Sequence, residues 1–125
     1  MAGPQIMVAP NGARRSRADH PALPVTIPQI VESAVACHAA GADALHLHVR
    51  DDDGAHSLDA GRYREALDEL ARVVPEMVVQ ITTETVGKFS VADQLNYLKK
   101  VRPGCASIAL GDIARNIGRA PTVFE

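Results

Sequence analysis

Apolar residues recur along this chain with two different periods. Short runs at Gln5–Ala9, Ala44–Val49, Met77–Thr82 and Ala106–Leu110 are rich in Val, Ile, Leu and Ala, and their alternation has the period of two expected of strands. The intervening stretches have the longer period of helices. Thr26 with Gln29 forms a capping box, in which side chain and backbone satisfy each other's free amides. Pro28 is tolerated there because first-turn amides have no intrahelical acceptor. Ile27, Ile30, Val31, Ala34 and His38 then fall on one helical face, and Gly41 suits a left-handed C-terminal turn. A second face joins Tyr63, Ala66, Leu67, Leu70 and Val74 and stops at Pro75. A third helix starts at Ser90, with Asp93 as a weaker capping partner, carries Val91, Leu95 and Leu98, and ends before Pro103. The order is β-α-β-α-β-α-β, with crossovers long enough for parallel pairing.

Within each predicted strand the two faces differ. Leu45, Leu47 and Val49 share one face, and Ala44, His46, His48 and Arg50 share the other. Val79 and Ile81 oppose Gln80, Thr82 and Glu84; Ile6 and Val8 oppose Met7, Ala9 and Asn11; Ile108 and Leu110 oppose Ser107. One face thus suits a cover of helices. The polar groups of the other crowd towards the strands' C-terminal ends, where parallel α/β folds place their active sites.

Composition narrows the function classes. The 125 residues are expected to form one domain with a sizeable core, and aromatics at 3% without Trp predict that this core is aliphatic. Net charge is -2, and only Arg14, Arg15 and Arg17 cluster among the basic residues, which argues against a nucleic-acid-binding face. No apolar run approaches the ~20 residues of a membrane span, and no signal-peptide pattern opens the chain. Cys37 and Cys105 lack framework spacing and read as free thiols in a reducing cytoplasm. Neither GxGxxG nor GxxxxGK[ST] occurs, which counts against a dinucleotide or ATP fold.

His46 and His48 are the chemically informative pair. Two residues apart on one strand face, their Cα atoms lie roughly 6.6–7 Å apart, and both imidazoles can tilt onto one zinc ion. The competing reading is a pair of hydrogen-bonded interior histidines. A metal site needs a further ligand: Glu84 follows the neighbouring strand on the compatible face, unless it pairs with an Arg instead. His20, His38 and His56 read as solvated. Asp51-Asp52-Asp53-Gly54 reads as a turn, with Asp51 pairing with Arg50, because the later ligands of a calcium loop are missing. Residues Pro10–Val25 make a long βα connection of the kind that forms lids or substrate loops. In it Asn11, a candidate substrate-binding residue, and Gly12 lie nearest the strand end, and Arg14 offers a fork to a carboxylate or phosphate. Thr82, Thr83 and Ser107 place hydroxyls at strand ends; with no base beside them they suit substrate hydrogen bonding rather than nucleophilic attack.

Taken in order, VAPNGARRSRADHPALPVT, the capped helix, GADALHLHVRDDDGAHSLD, YREA and VVQITTETVG resemble the N-terminal half of the β-keto acid cleavage enzymes, a family that includes the 3-keto-5-aminohexanoate cleavage enzyme. The likeness runs over residues 5–111. It implies an α/β fold, the N-terminal half of a TIM (β/α)8 barrel with four βα strands, and a zinc-dependent retro-Claisen reaction. In that reaction a β-keto acid and acetyl-CoA give acetoacetate and a new acyl-CoA. His46 and His48 match the family's zinc histidines. Thr82 stands where the family has a substrate-binding serine, and Ser107 falls near another substrate-contacting hydroxyl. Arg14 replaces a glutamate that binds a substrate amino group, which implies an acidic or neutral-polar acyl chain. The family's third zinc ligand, a glutamate, and its catalytic Asp and Arg lie late in the barrel, in a region this sequence does not contain. A whole barrel needs roughly 250 residues. Residues 1–125 are therefore expected to be one partial barrel domain, truncated after its fourth strand and inactive alone. A complete enzyme is expected to be a homo-oligomer, with a separate C-terminal half as another way to close the barrel. The alternative is a non-catalytic, flavodoxin-like module that binds a small molecule.

Overall fold

The computed structural model describes Gly3 and residues 5–114. Its elements are β1 (Met7–Val8), α1 (Ile27–Ala39), β2 (Ala44–Leu47), β3 (Val49–Arg50), β4 (His56–Ser57), α2 (Ala60–Val73), β5 (Val78–Ile81), α3 (Val91–Val101) and α4 (Leu110–Ala114). The predicted parallel sheet is present, ordered β1-β2-β5. Met7 pairs with Ala44 and Val8 with Leu45, and β2 continues to β5 from Ala44–Val78 to Leu47–Ile81.

The helices begin where their caps predict. The Thr26 hydroxyl accepts from the Gln29 amide, and the Gln29 side chain returns the bond to the Thr26 backbone. Ser90 and Asp93 close an equivalent box on α3, and Asp59 caps α2. The three helices bury Ile30, Ala34, Ala66, Leu70 and Val101 against Leu45, Leu47, Val49 and Ile81. That is the face assigned to the core by alternation. The core is not purely aliphatic, however. Tyr63 and Tyr97 are 0% and 3% exposed and meet edge-to-face at 4.9 Å, a favoured aromatic geometry. Helical spacing had already placed Tyr63 on the inner face; its hydroxyl is satisfied by the Val49 amide.

Two of the expected strands are redrawn. The run Ala44–Val49 is not continuous, because its backbone leaves the parallel sheet at His48. The His48 carbonyl accepts from Asn11 Nδ2 at 3.0 Å, and the Val49 amide donates to the Tyr63 hydroxyl at 3.3 Å. Val49–Arg50 then pairs antiparallel with His56–Ser57. The turn between them is the Asp51–Gly54 run, where the Asp51 carboxylate accepts from the Asp53 and Ala55 amides and Gly54 takes a φ of +79°.

The predicted fourth strand, Ala106–Leu110, is reduced to one parallel bridge between Ile81 and Ala106. Leu110 instead opens a helix. Leu110 and Ile113 satisfy helical spacing as well as Ile108 and Leu110 satisfy strand spacing, and it is Ile113 that is buried, at 4% exposure, while Leu110 is 69% exposed. Residues 110–114 form α4, and those after Ala114 lie outside the described residues.

Candidate functional site

The site is built where the parallel strands end. His46 lies opposite Gln80 in the sheet register, so both side chains leave the same face. The His46 Nδ1 atom is 2.7 Å from Gln80 Oε1. The Gln80 amide nitrogen in turn donates to Cys105 Sγ at 3.7 Å. The His46 and His48 rings stand 4.8 Å apart at 72°. The expected pair is therefore brought together on one face.

A third ring joins it. The short hairpin places His56 opposite Arg50, 5.4 Å from the His48 ring and 6.1 Å from that of Phe89. His56 is 4% exposed and donates from Nε2 to the Glu84 carbonyl at 2.7 Å, so it is not the solvated residue expected of it. Its position depends on the antiparallel turn, which alternation along a single strand does not reveal.

Burial sets the charge of these rings. His48, 6% exposed, is pushed down to about 3, chiefly by burial and then by its neighbours His46, His56 and Arg50. His56 is also lowered, first by burial, with the Glu84 carbonyl acting in the opposite direction. Both are neutral at pH 7, the form in which imidazole ligates metals. Neither is fully satisfied: the Nδ1 atoms of His48 and His56 are buried without a hydrogen-bond partner. A buried polar atom left in this way costs about 1–3 kcal/mol.

Arg50 anchors the long loop beside the rings. Buried at 4% exposure, its guanidinium donates to the carbonyls of Gly54 (2.8 Å), Asn11 (3.2 Å), Gly12 (2.8 Å) and Arg15 (2.9 Å). The expected Asp51–Arg50 pair does not form: the Asp51 carboxylate accepts from the amides of its own turn, and the terminal nitrogens of Arg50 are turned to backbone carbonyls while its Nε is left buried without a partner. It is Arg62 that reaches the turn, bonding Asp52 at 2.7 Å.

The remaining candidates flank the histidines. Asn11 is buried, and its amide donates to the carbonyls of Pro24 and His48; it holds the loop to the strand end. Thr82, also buried, accepts the Glu84 amide on its hydroxyl at 3.0 Å. Thr83 donates to the Ser107 carbonyl at 2.8 Å, while Ser107 is held to the sheet by its backbone amide.

Arg14 reaches across from the β1–α1 loop to Glu84 at 3.0 Å, with the two side chains 72% and 30% exposed. Glu84 thus pairs with an arginine. Among the described residues no three His, Cys, Asp or Glu side chains converge closely enough to hold one ion. No helix among them is long and apolar enough to cross a membrane.

Fold and site together define a parallel α/β chain with an imidazole cluster at the C-terminal edge of its sheet. The family model for beta-keto acid cleavage enzymes matches residues 5–125, and the chain belongs to that family. It is similar to the 3-oxoadipate:acetyl-CoA acetyltransferase of Cupriavidus necator, 33% identical over 108 residues, or 86% of this chain and 37% of that protein. It is also similar to the 3-keto-5-aminohexanoate cleavage enzyme of Fusobacterium nucleatum, 35% identical over 78 residues, or 62% of this chain and 29% of that protein. Among solved structures, a ternary complex of ObcA with a C4-CoA adduct and oxalate matches with a TM-score of 0.59 at 19% identity, covering 70% of this chain and 23% of that one. The chain thus spans little more than a third of these relatives at most. The family's activity, acyl transfer between β-keto acids and acetyl-CoA, agrees with the reading of the sequence at that level.

Proposed function

We propose that this chain forms the first βα units of a (β/α)8 barrel and carries one wall of a zinc-dependent β-keto acid cleavage site. The reaction takes a β-keto acid and acetyl-CoA to acetoacetate and a new acyl-CoA. The observation that supports this most directly is the incompletely satisfied histidine cluster at the sheet's C-terminal edge. His46 has one nitrogen engaged by Gln80 and the other left for an ion, and its ring stands 4.8 Å from that of His48.

Zinc held there by His46 and His48 would polarise the β-keto acid oxygens and stabilise the charge that develops as the carbon–carbon bond breaks. The chain's own groups do the positioning. Asn11 and Arg50 hold the β1–α1 loop against the strand ends, and the hydroxyls of Thr82 and Ser107 orient the substrate. The third ligand and the general base come from the later strands of the barrel, on the same polypeptide or on a second one. Residues 1–125, as a single partial domain, do not turn over alone. The complete assembly is a cytoplasmic homo-oligomer.

Arg14 sets the acyl chain. It presents a mostly exposed guanidinium whose one carboxylate partner, Glu84, is itself partly solvated. Exposed pairs of this kind are worth roughly 0–1 kcal/mol, so a substrate carboxylate can take the place of Glu84. That favours an acidic β-keto acid, a substrate class to which the 3-oxoadipate enzyme's name also points.

The test is an assay of the natively expressed protein with acetyl-CoA and a panel of acidic, neutral and amino β-keto acids, following acyl-CoA formation. Acyl transfer is expected, strongest with the acidic substrates, and Arg14→Glu should lower kcat/KM on these by at least tenfold. No transfer with any member of the panel would overturn the proposed activity; an Arg14→Glu variant with unchanged preference would overturn the substrate assignment alone.

A further inference from the structure

The contact between Gln80 and His46 has a consequence for which nitrogen of the histidine is free. A neutral imidazole carries one proton, and a carbonyl oxygen such as Gln80 Oε1 can only accept. With that oxygen 2.7 Å from His46 Nδ1, the contact matches the tautomer that carries its hydrogen on Nδ1 and leaves Nε2 as the lone-pair nitrogen. An amide turned the other way would offer its NH2 to Nδ1 and give the opposite tautomer. Gln80 Nε2 lies 3.7 Å from Cys105 Sγ, and a thiol can accept from the amide nitrogen or donate to the amide oxygen, so it is an ion's need for a free Nε2 that selects the carbonyl towards His46. The carbon skeleton is held as well, because Gln80 and His46 are register partners on adjacent parallel strands.

We propose that Gln80 is a positioning residue for the metal centre: its carbonyl oxygen fixes the His46 tautomer and ring plane. This rests on the zinc reading of the same histidines. Partners of this kind orient ligating histidines and raise their basicity, and losing one costs about 10–100-fold in metal affinity.

The experiment uses the natively expressed, zinc-loaded protein with 15N-labelled histidine, comparing wild type, Gln80→Leu, Gln80→Glu, Cys105→Ala and His46→Ala. Zinc affinity is read by competition with a chromophoric chelator. Ring protonation is read from the 15N–1H correlations, and circular dichroism checks that each variant is folded. The expected result is a His46 proton on Nδ1 in wild type. Zinc affinity should fall about 10–100-fold in Gln80→Leu, recover to within a few-fold of wild type in Gln80→Glu, which keeps an acceptor, and change least in Cys105→Ala.

A His46 proton on Nε2, or a folded Gln80→Leu protein that binds zinc as tightly as wild type, overturns the inference while leaving the metal site standing. A His46→Ala protein that keeps its zinc removes the metal assignment, and the inference with it. The two failures are thus told apart by which variant retains the ion.

Discussion

The two faces of the Ala44–Arg50 run serve different ends. On one, Leu45 and Leu47 are 0% and 1% exposed and pack among Ile30, Ala34, Tyr63 and Ile81. On the other, one residue away along the same backbone, His48 is buried with a nitrogen unpartnered and its charged form suppressed. The first face lowers the free energy of the folded chain through apolar burial, at roughly 25 cal/mol per Å². On the second, the unpartnered nitrogen of His48 raises it. A buried group that destabilises is explained by what it does, not by what it holds together.

The comparison breaks most directly at its strongest point. Leu47→Ala should cost about 2–5 kcal/mol in denaturant unfolding, because the methyls removed leave a cavity in a packed core. His48→Leu, one position on, should leave stability unchanged or higher, since it replaces an unsatisfied imidazole with an apolar group of similar size. A His48→Leu loss as large as that of Leu47→Ala would mean that the histidine face is structural.

Arg50→Met sharpens the same contrast on the second face. It strips a charged donor from the carbonyls of Gly54, Asn11, Gly12 and Arg15, and hydrogen bonds to charged groups are worth about 1.5–3 kcal/mol each. Part of this is recovered by water at the loop surface. The expected signature is local: faster amide hydrogen exchange across residues 11–17, with the α1 and α2 cores little changed. Uniformly faster exchange would show that Arg50 supports the whole fold instead.

The smallest effect belongs to the helix start. Ser90→Ala removes the acceptor for the Asp93 amide and should cost about 1 kcal/mol. Ser90 also holds the Asp93 carboxylate below its ordinary value of 3.8 through backbone and side-chain hydrogen bonds. A depressed carboxylate contributes stability that is present above its unfolded pKa and lost as the pH falls through its folded one. The wild-type advantage over Ser90→Ala should therefore hold at pH 7 and shrink below about pH 4. An advantage that is constant from pH 7 to pH 3 would contradict the ionic part of this cap.

Much of the fold was legible in the sequence because local signals and tertiary packing agree. The capping boxes at Thr26 and Ser90, the core stripe through Ala66 and Leu70, and the inward face of Leu45 and Leu47 are all local rules that the structure obeys. Less of the site was legible. His46 and His48 were found because a period of two puts them on one face. His56 was missed because it arrives through the Asp51–Gly54 hairpin, and Arg50 because its partners are the backbone carbonyls of a loop distant in sequence. Gln80 had a usable signal, since alternation placed it on the polar face beside Thr82, but its pairing with His46 needed the strand register. The fourth strand failed where two apolar residues fit both periods, and burial of Ile113 decided for the helix.

A histidine face that exists to hold an ion shows itself in the metal content of the protein. The natively expressed protein should carry about one zinc per chain by mass spectrometry of the metal, as expected of a single-ion catalytic site. His46→Ala and His48→Ala should each remain folded by circular dichroism and lose it. Folded variants that keep the zinc of the wild type, or a wild type that binds none at these histidines, would contradict the account.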